Sequence, residues 1–506
     1  MPIRNIFLVI ASGFFLVIRT KNLLSVPVYL DEAIYVNWGY MFKTNRNLAY
    51  LPMQDGKTPL YFWIISFFYD YFNQPLIAAR FISEVAGLGT MLLGWWLTKK
   101  LFDQKTAFIF LPLYALIPYA QFIERMAFAD SLQVFWGMAA ITLAVYSLDL
   151  KFSIKNIFRQ IFIGSLTGII LGLGFMTKSS AKIYLFSIFL ILFLQILKNF
   201  KNIKKSSLVL LFGIFSWLTY TEVLTAFKTA SSRFFLNIAE KEKLLTYSPR
   251  EVLQNPFNLA YLKHLPLVSG YFFHYITIPV LILTAFSLFK IAQKRNFNGL
   301  IFFLTGTFVF SGIFFVSKIP ASRYFFPVVP FIIILASYGL KEITKSIKNK
   351  RLNIIAIISI FTPLLWFSYR ISGNAQYAFW HPEDRHYLYE SSLSGIGVQE
   401  VIQYLKNQLQ TSEVVLAVDS FWGQPDYINL MLQKEKHQFL LKKYGNLHDS
   451  YNDLEGDLAN NKVFLLSLRE NSSSLENQNL KLIKSFSRAT QKNGKTDQVY
   501  FYEMLP

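Results

Sequence analysis

Cysteine is missing from all 506 residues, which excludes disulfide staples and any thiolate metal site. Charge is also scarce, at 16% of residues, where an ordinary soluble domain carries about a quarter. There is no internal repeat. The one Gly-rich string that resembles a phosphate loop, "GLGF" at 172–175, lies inside an apolar run, where close helix packing is the expected role. No nucleotide site is therefore expected.

In place of charge the chain has apolar residues, 53% of the total, with 17% aromatic. They come in long blocks near 5–19, 76–98, 107–123, 127–148, 157–177, 183–197, 206–228, 267–289, 299–317, 324–340 and 352–369. A hydrocarbon core about 30 Å thick needs roughly 20 apolar helical residues. These blocks predict a polytopic α-helical membrane protein with eleven spans. The first run is followed by "RTKNLL" without a small-residue cleavage pattern, so it reads as an uncleaved span.

The net charge of +20 is not a nucleic-acid signal, because of where it sits. The strings "KKLFDQK", "DLKFSIKNIFR", "KNFKNIKK", "KIAQKRN" and "KEITKSIKNKR" follow alternate spans. Lys and Arg concentrated in short loops on one side mark the cytoplasmic face, where they also attract anionic lipid headgroups. The segments 20–75 and 229–266 and the tail from about 370 are then outside.

Residues 1–369 form the expected membrane domain. Its 20–75 segment has two amphipathic helices in the outer interface: one in "DEAIYVNWGYMF", with Ile34, Trp38 and Met41 on one face, and one opened by a capping Thr58 and Pro59. Residues 370–506 alternate helical and strand patterns and predict a small outer α/β domain. Its expected helices are "GVQEVIQYLKNQL" and "QPDYINLMLQ", its strands "EVVLAVDS", "NKVFLLSL", "LKLIKSF" and "QVYFYEML". "RENSSSLENQN" reads as a loop.

Charges at membrane depth are functional candidates by default. On the outer side they are Asp31, Glu32, Asp55, Lys57, Glu124, Arg125, Asp130, Lys178, Lys182, Lys318 and Arg323, each at or beside a span end. Several cations at one depth can hold a lipid-linked phosphate, and a carboxylate beside them can accept a proton from an attacking hydroxyl. Displacement at a sugar carbon with a lipid phosphate as leaving group needs both parts. Plainer roles compete. Asp31 and Glu32 suit a helix start, Lys57 could snorkel to the interface, and Arg323–Tyr324 could belong to an aromatic belt. Arg125 and Asp130 could pair with each other across a helix turn. "HPEDRH" at 381–386 matches no zinc spacing and reads as a surface turn.

The strings "LDEAIY", "GKTPLYFW", "ERMAFAD", "GLGFMTKSSA" and "SRYFFPVVP" occur in order between residue 29 and about 340. In that order they resemble the signatures of the GT-C glycosyltransferases, nearest the protein O-mannosyltransferases and the aminoarabinose transferases of lipid A. The resemblance implies a multi-pass plasma-membrane enzyme with its site on the extracytoplasmic side. Such an enzyme transfers a sugar, with inversion, from a polyprenyl-phosphate donor to an acceptor that is protein, lipid or glycan. It implies Asp31 as base with Glu32 beside it. Lys57, Arg125, Lys178, Arg323 and Tyr324 would surround phosphate and sugar, supported by Asp55, Asp130 and Lys318. Two departures stand out. Thr58 replaces a common proline, and Gly56 stands where the aminoarabinose transferases place a metal-site Glu. No metal or other cofactor is therefore expected; Asp55 with His264 or His274 is the alternative set. A flippase for lipid-linked sugars would share a basic, lipid-accessible cavity, but it would be expected to show repeated halves.

Overall fold

The computed structural model describes residues 3–432, 438–469 and 479–506. Helix α1 (Ile3–Thr20) is followed by α2 (Leu30–Thr44) and α3 (Leu60–Phe68), the two helices expected between 20 and 75. Next come α4 (Pro75–Leu101), α5 (Gln104–Leu116), α6 (Pro118–Glu124), α7 (Ala129–Ser147), α8 (Ile154–Thr177), α9 (Lys182–Lys198) and α10 (Ile203–Ala230). The short α11 (Phe235–Leu245) and α12 (Pro249–Gln254) lead to α13 (Leu259–Tyr275) and α14 (Ile278–Gln293). α15 (Phe297–Val316), α16 (Val329–Ser346) and α17 (Lys350–Gly373) complete this region.

Eight helical segments among the described residues are long and apolar enough to cross a membrane, and two bent pairs raise the number to ten. The pairs are α5–α6, bent by 56°, and α13–α14, bent by 100°. Pro118 and Pro279, each at the start of the second helix of its pair, sit at the breaks, where a ring that cannot donate stops the first helix. Helix covers every one of the eleven expected spans, but α7, over 127–148, is not among the eight long apolar segments or the two bent pairs. Its first turns carry Asp130, Ser131 and Gln133, all buried. Outward-facing Phe162, Phe193, Ile282 and Ile358 are all more than half exposed, as lipid-facing residues are.

The chain divides into two compact units. The first comprises Met1–Lys21, Asn45–Ile64 and Arg80–Tyr369. Here α8 crosses α10 on glycines four residues apart. A Cβ at Gly164 would lie 2.7 Å from the Phe212 carbonyl oxygen, one at Gly168 2.6 Å from that of Ser216, and one at Gly172 against the Val223 side chain. Close backbone approach through small residues drives helix association where water cannot. The basic loops meet at one end of this unit. Lys100 pairs with Asp149, Lys198 donates to Asn298, Lys294 pairs with Glu342, and Lys341 pairs with Asp103. These contacts link four of the clusters directly and bring the third, through Asn298, beside the fourth, so the alternation read from sequence places them on one face.

The second unit comprises Asn22–Thr44, Ile65–Ala79 and Arg370–Pro506. Its helices are α2, α18 (Pro382–Arg385), α19 (Val398–Gln408), α20 (Gln424–Met431) and α21 (Tyr451–Leu458). Its strands are β1 (Val414–Val418), β2 (Phe439–Lys443), β3 (Lys462–Ser467), β4 (Leu480–Ser487) and β5 (Gln498–Met504). The sheet order is β2-β1-β3-β5-β4, with β1 parallel to β2 and β3, and β5 antiparallel to β3 and β4. Every residue of β1 is buried, as in a parallel strand covered on both faces. Val415, Ala417, Val463, Leu465 and Leu454 form its core. The four expected strands are present. β2 and α21 are additional. Residues 470–478 of the expected loop lie outside the described residues.

Candidate active site

In the first unit the site is built at the helix ends opposite the basic loops. α7 opens with Asp130 in its first turn, where a carboxylate suits the helix dipole. α8 ends at Thr177, and Lys178 follows in extended conformation. The Lys178 ammonium lies 2.5 Å from Asp130 Oδ1 and 4.7 Å from the centre of the Tyr324 ring. The Arg323 guanidinium lies 5.1 Å from the Phe128 ring centre and 5.5 Å from that of Tyr324. Gln133 donates to Ser180 at 3.1 Å, and Tyr119 donates to the Ser322 carbonyl at 2.6 Å, fixing these segments together. Lys178, Asp130, Arg323 and Tyr324, drawn from three separate stretches of sequence, thus meet.

A second group adjoins through α9 and α11. Lys182 pairs with Glu242 at 2.8 Å; the next residue back, Lys241, lies 2.9 Å from Asp55 Oδ1, and Lys57 lies 3.3 Å from Asp55 Oδ2. Asp55 is thus bracketed by two lysines. Gly56 has φ +66°, and a Cβ there would collide with the Lys241 side chain and lie 2.8 Å from the Asn237 carbonyl oxygen. The position where the resemblance expects Glu is therefore one that backbone and neighbours keep as glycine. Lys318 donates to the Lys243 carbonyl at 2.6 Å and lies 5.3 Å from the Tyr247 ring centre.

Several expectations need correction. Asp130 pairs with Lys178 and not with Arg125. Arg125 is 1% exposed and donates to the carbonyl oxygens of Ile18, Arg19 and Lys21 at 2.9, 2.6 and 3.0 Å. Its planar fork satisfies the orphan carbonyls where α1 ends, a need the sequence around 125 cannot announce. The Thr58 hydroxyl, expected to cap α3, is buried without a hydrogen-bond partner among the described residues. Missed were Lys241 and, apart from Glu124, the buried network behind the site. There Arg19 donates to Glu124 at 2.8 Å and to the Ala115 carbonyl at 2.7 Å, and Tyr114 donates to Glu124 at 2.8 Å. The "EKEK" run at 240–243 was the only signal for Lys241.

The carboxylate pair belongs to the second unit. Glu32 is fully buried and accepts from the Tyr29 amide at 3.0 Å, closing the start of α2; Asp31 is half-buried. The buried side of α2 is Ala33, Tyr35, Val36 and Gly39, while Ile34, Trp38 and Met41 are only partly covered. That corrects the expected interfacial face: α2 packs on α20. Its start is tied down by Leu30 donating to the Leu393 carbonyl at 3.2 Å and by a bridge between Tyr29 and Ser394.

No group of three or more His, Asp or Glu that could hold a metal ion occurs among the described residues. Asp55 is paired with lysines, and His274 Nδ1 bonds the Gly270 carbonyl oxygen at 2.9 Å. In 381–386 the His381 ring caps Glu383, and Arg385 pairs with Glu390.

Solved structures share this architecture. ArnT from Cupriavidus metallidurans in the apo state aligns over 98% of this chain and 97% of its own, at 11% identity and a TM-score of 0.58. The same protein bound to undecaprenyl phosphate gives 10%, the same coverage and 0.56. The oligosaccharyltransferase AglB from Archaeoglobus fulgidus, in complex with an inhibitory peptide and a dolichol-phosphate, aligns over 92% of this chain and 69% of its own, at 13% and 0.55. The fold is that of the GT-C glycosyltransferases. Within that GT-C fold, residues 56–220 also match the sequence model of a family described as dolichyl-phosphate-mannose-protein mannosyltransferase. The matched stretch contains Lys57, Arg125, Asp130 and Lys178. No curated protein sequence matches the chain.

Proposed function

We propose that the chain is a membrane glycosyltransferase. It moves one sugar from a polyprenyl-phosphate carrier to an acceptor hydroxyl or amine on the extracytoplasmic side of the plasma membrane, inverting the anomeric carbon. The observation that carries the reading is the Lys178–Asp130 pair under the Tyr324 ring with Arg323 beside it. A lysine one-quarter exposed and oriented by a nearly buried aspartate is a fixed point charge with room for an incoming anion. The tyrosine face beside it also suits a sugar or a cation. The ligands of ArnT and AglB and the family match over 56–220 support a lipid-phosphate donor.

In this reading Asp31 takes the proton from the acceptor as the acceptor's lone pair forms the new bond to the anomeric carbon. The bond from that carbon to the phosphate oxygen breaks, and its electrons leave with the lipid phosphate. Lys178, Arg323 and Lys57 offset the charge that develops there. Tyr324 lies against the sugar. Asp130 and Lys241 position the lysines, Lys318 holds the 243–247 segment, and Arg125 acts at a distance by fixing α1. No step is assigned to a metal.

The test uses purified protein with a panel of polyprenyl-phosphate sugars and cell-envelope acceptors, recording free polyprenyl phosphate. Release by wild type, with Lys178→Ala and Asp31→Asn each strongly reduced, is the expected result. Equal release by either variant removes that residue from the mechanism. Movement of intact donor across vesicles without release would overturn the transferase reading.

A further inference from the structure

We propose a second anion site, at the opposite end of the same helices, that holds the phosphate headgroup of an anionic bilayer phospholipid. It does not depend on the donor reading. On the basic face the ends of α4, α7 and α9 and the starts of α10 and α15 enclose a cavity of about 120 Å³. Its polar lining is Lys100, Asp149, Gln195, Lys198, Lys205 and Asn298, three cations against one carboxylate. Leu148, Ile191 and Phe302 form part of an apolar floor.

The internal contacts leave positive charge over. Asp149 is taken by Lys100 at 2.5 Å, and among the described residues Lys198 meets the neutral Asn298 amide, at 3.2 Å, and the Phe297 ring. Lys205 stands in the first turn of α10, where a cation opposes the helix dipole. Neither local helix stability nor ion pairing accounts for Lys198 and Lys205 converging on one cavity. A phosphate between them would relieve both the mutual repulsion and the dipole conflict.

The surroundings point to a lipid as the source of that phosphate. Phe200, in the connection from α9 to α10, and Ile203, the first residue of α10, are each 77% exposed beside the lysines and offer contact to acyl chains. α9 runs from Lys182, near the donor cluster, to Lys198 at the cavity; its 17 residues span about 25 Å at the usual helical rise. That is close to the hydrocarbon thickness of a bilayer, so the two sites serve opposite leaflets.

The experiment compares wild type, Lys198→Gln/Lys205→Gln, the single variant Lys205→Gln, and a control pair on the same face, Lys348→Gln/Lys350→Gln. Each is purified in detergent and supplied with phosphatidylglycerol, phosphatidylcholine or inorganic phosphate, with thermal unfolding and native mass spectrometry as readouts. Expected is one phosphatidylglycerol retained per chain, with a raised unfolding temperature, in wild type and the control. The double variant loses this, and the single variant shows roughly tenfold weaker apparent affinity. The single variant keeps the test valid if the double variant does not fold. Equal retention of phosphatidylcholine, equal loss in the control, or reproduction of the effect by inorganic phosphate alone overturns the proposal.

Discussion

Asp31 and Glu32 are adjacent but differently placed. Glu32 is buried on the Tyr29 amide, and Asp31 keeps partial exposure. Asp31→Asn therefore lowers the rate of polyprenyl-phosphate release by about 10²–10⁴-fold, the range for a general base, without lowering the unfolding temperature. Glu32→Ala does the reverse, destabilising by about 1 kcal/mol as a lost cap does. Gly56→Ala combines a left-handed φ with collision against Lys241, and thermal unfolding would register a cost of about 1–3 kcal/mol. At this scale the sequence revealed which residues carry charge near span ends but not their partners. Lys178 meets an aspartate 48 positions away, and Arg19 a glutamate 105 away. Only the packing of helices decides such pairings.

Elements were more legible, because long apolar runs bounded by lysines can be little else than spans. The exception is instructive. α7 read as a span from its composition, but the polar residues in its first turns face protein, and a hydropathy window cannot separate protein-facing from lipid-facing surface. β2 was missed for the opposite reason, since five residues at a sheet edge carry almost no periodicity. Of the α8–α10 contact only Gly172, inside "GLGF", was read from the sequence; Gly164 and Gly168 extend it at a spacing of four. Gly168→Val pushes against the Ser216 carbonyl and separates the two helices; loss of the monodisperse peak on size exclusion is the expected outcome. The Arg19–Glu124 pair, both fully buried, ties α1 to the α5–α6 bend. Glu124→Ala strands the arginine and costs about 3–5 kcal/mol, as breaking a buried pair does; urea unfolding followed by tryptophan fluorescence would measure it.

For the molecule as a whole, the two-unit division was only half visible. The tail stood out by its composition, but nothing in residues 22–44 or 65–79 announces that they fold with it. In that second unit the Tyr444 hydroxyl, then the Lys442 ammonium, hold the exposed Asp453 carboxyl below its ordinary value of 3.8. A carboxyl lowered on folding stabilises above its unfolded pKa and ceases to do so as pH falls through the folded value. Wild type thus unfolds at a higher temperature than Asp453→Asn at pH 6, and the difference vanishes in strong acid. Calorimetry at the two pH values checks it.

Because α2 is seated by Leu393, Ser394 and the α20 region, the tail cannot be exchanged like a cassette. A hybrid made to alter acceptor choice by grafting a foreign segment after residue 369 would leave the native 22–44 and 65–79 stretches without their bed. The helix bearing Asp31 would then lose its footing even with every membrane residue intact. Engineering this protein means moving three discontinuous pieces of chain together, and a recombination map of related genes would be expected to show them inherited as a set.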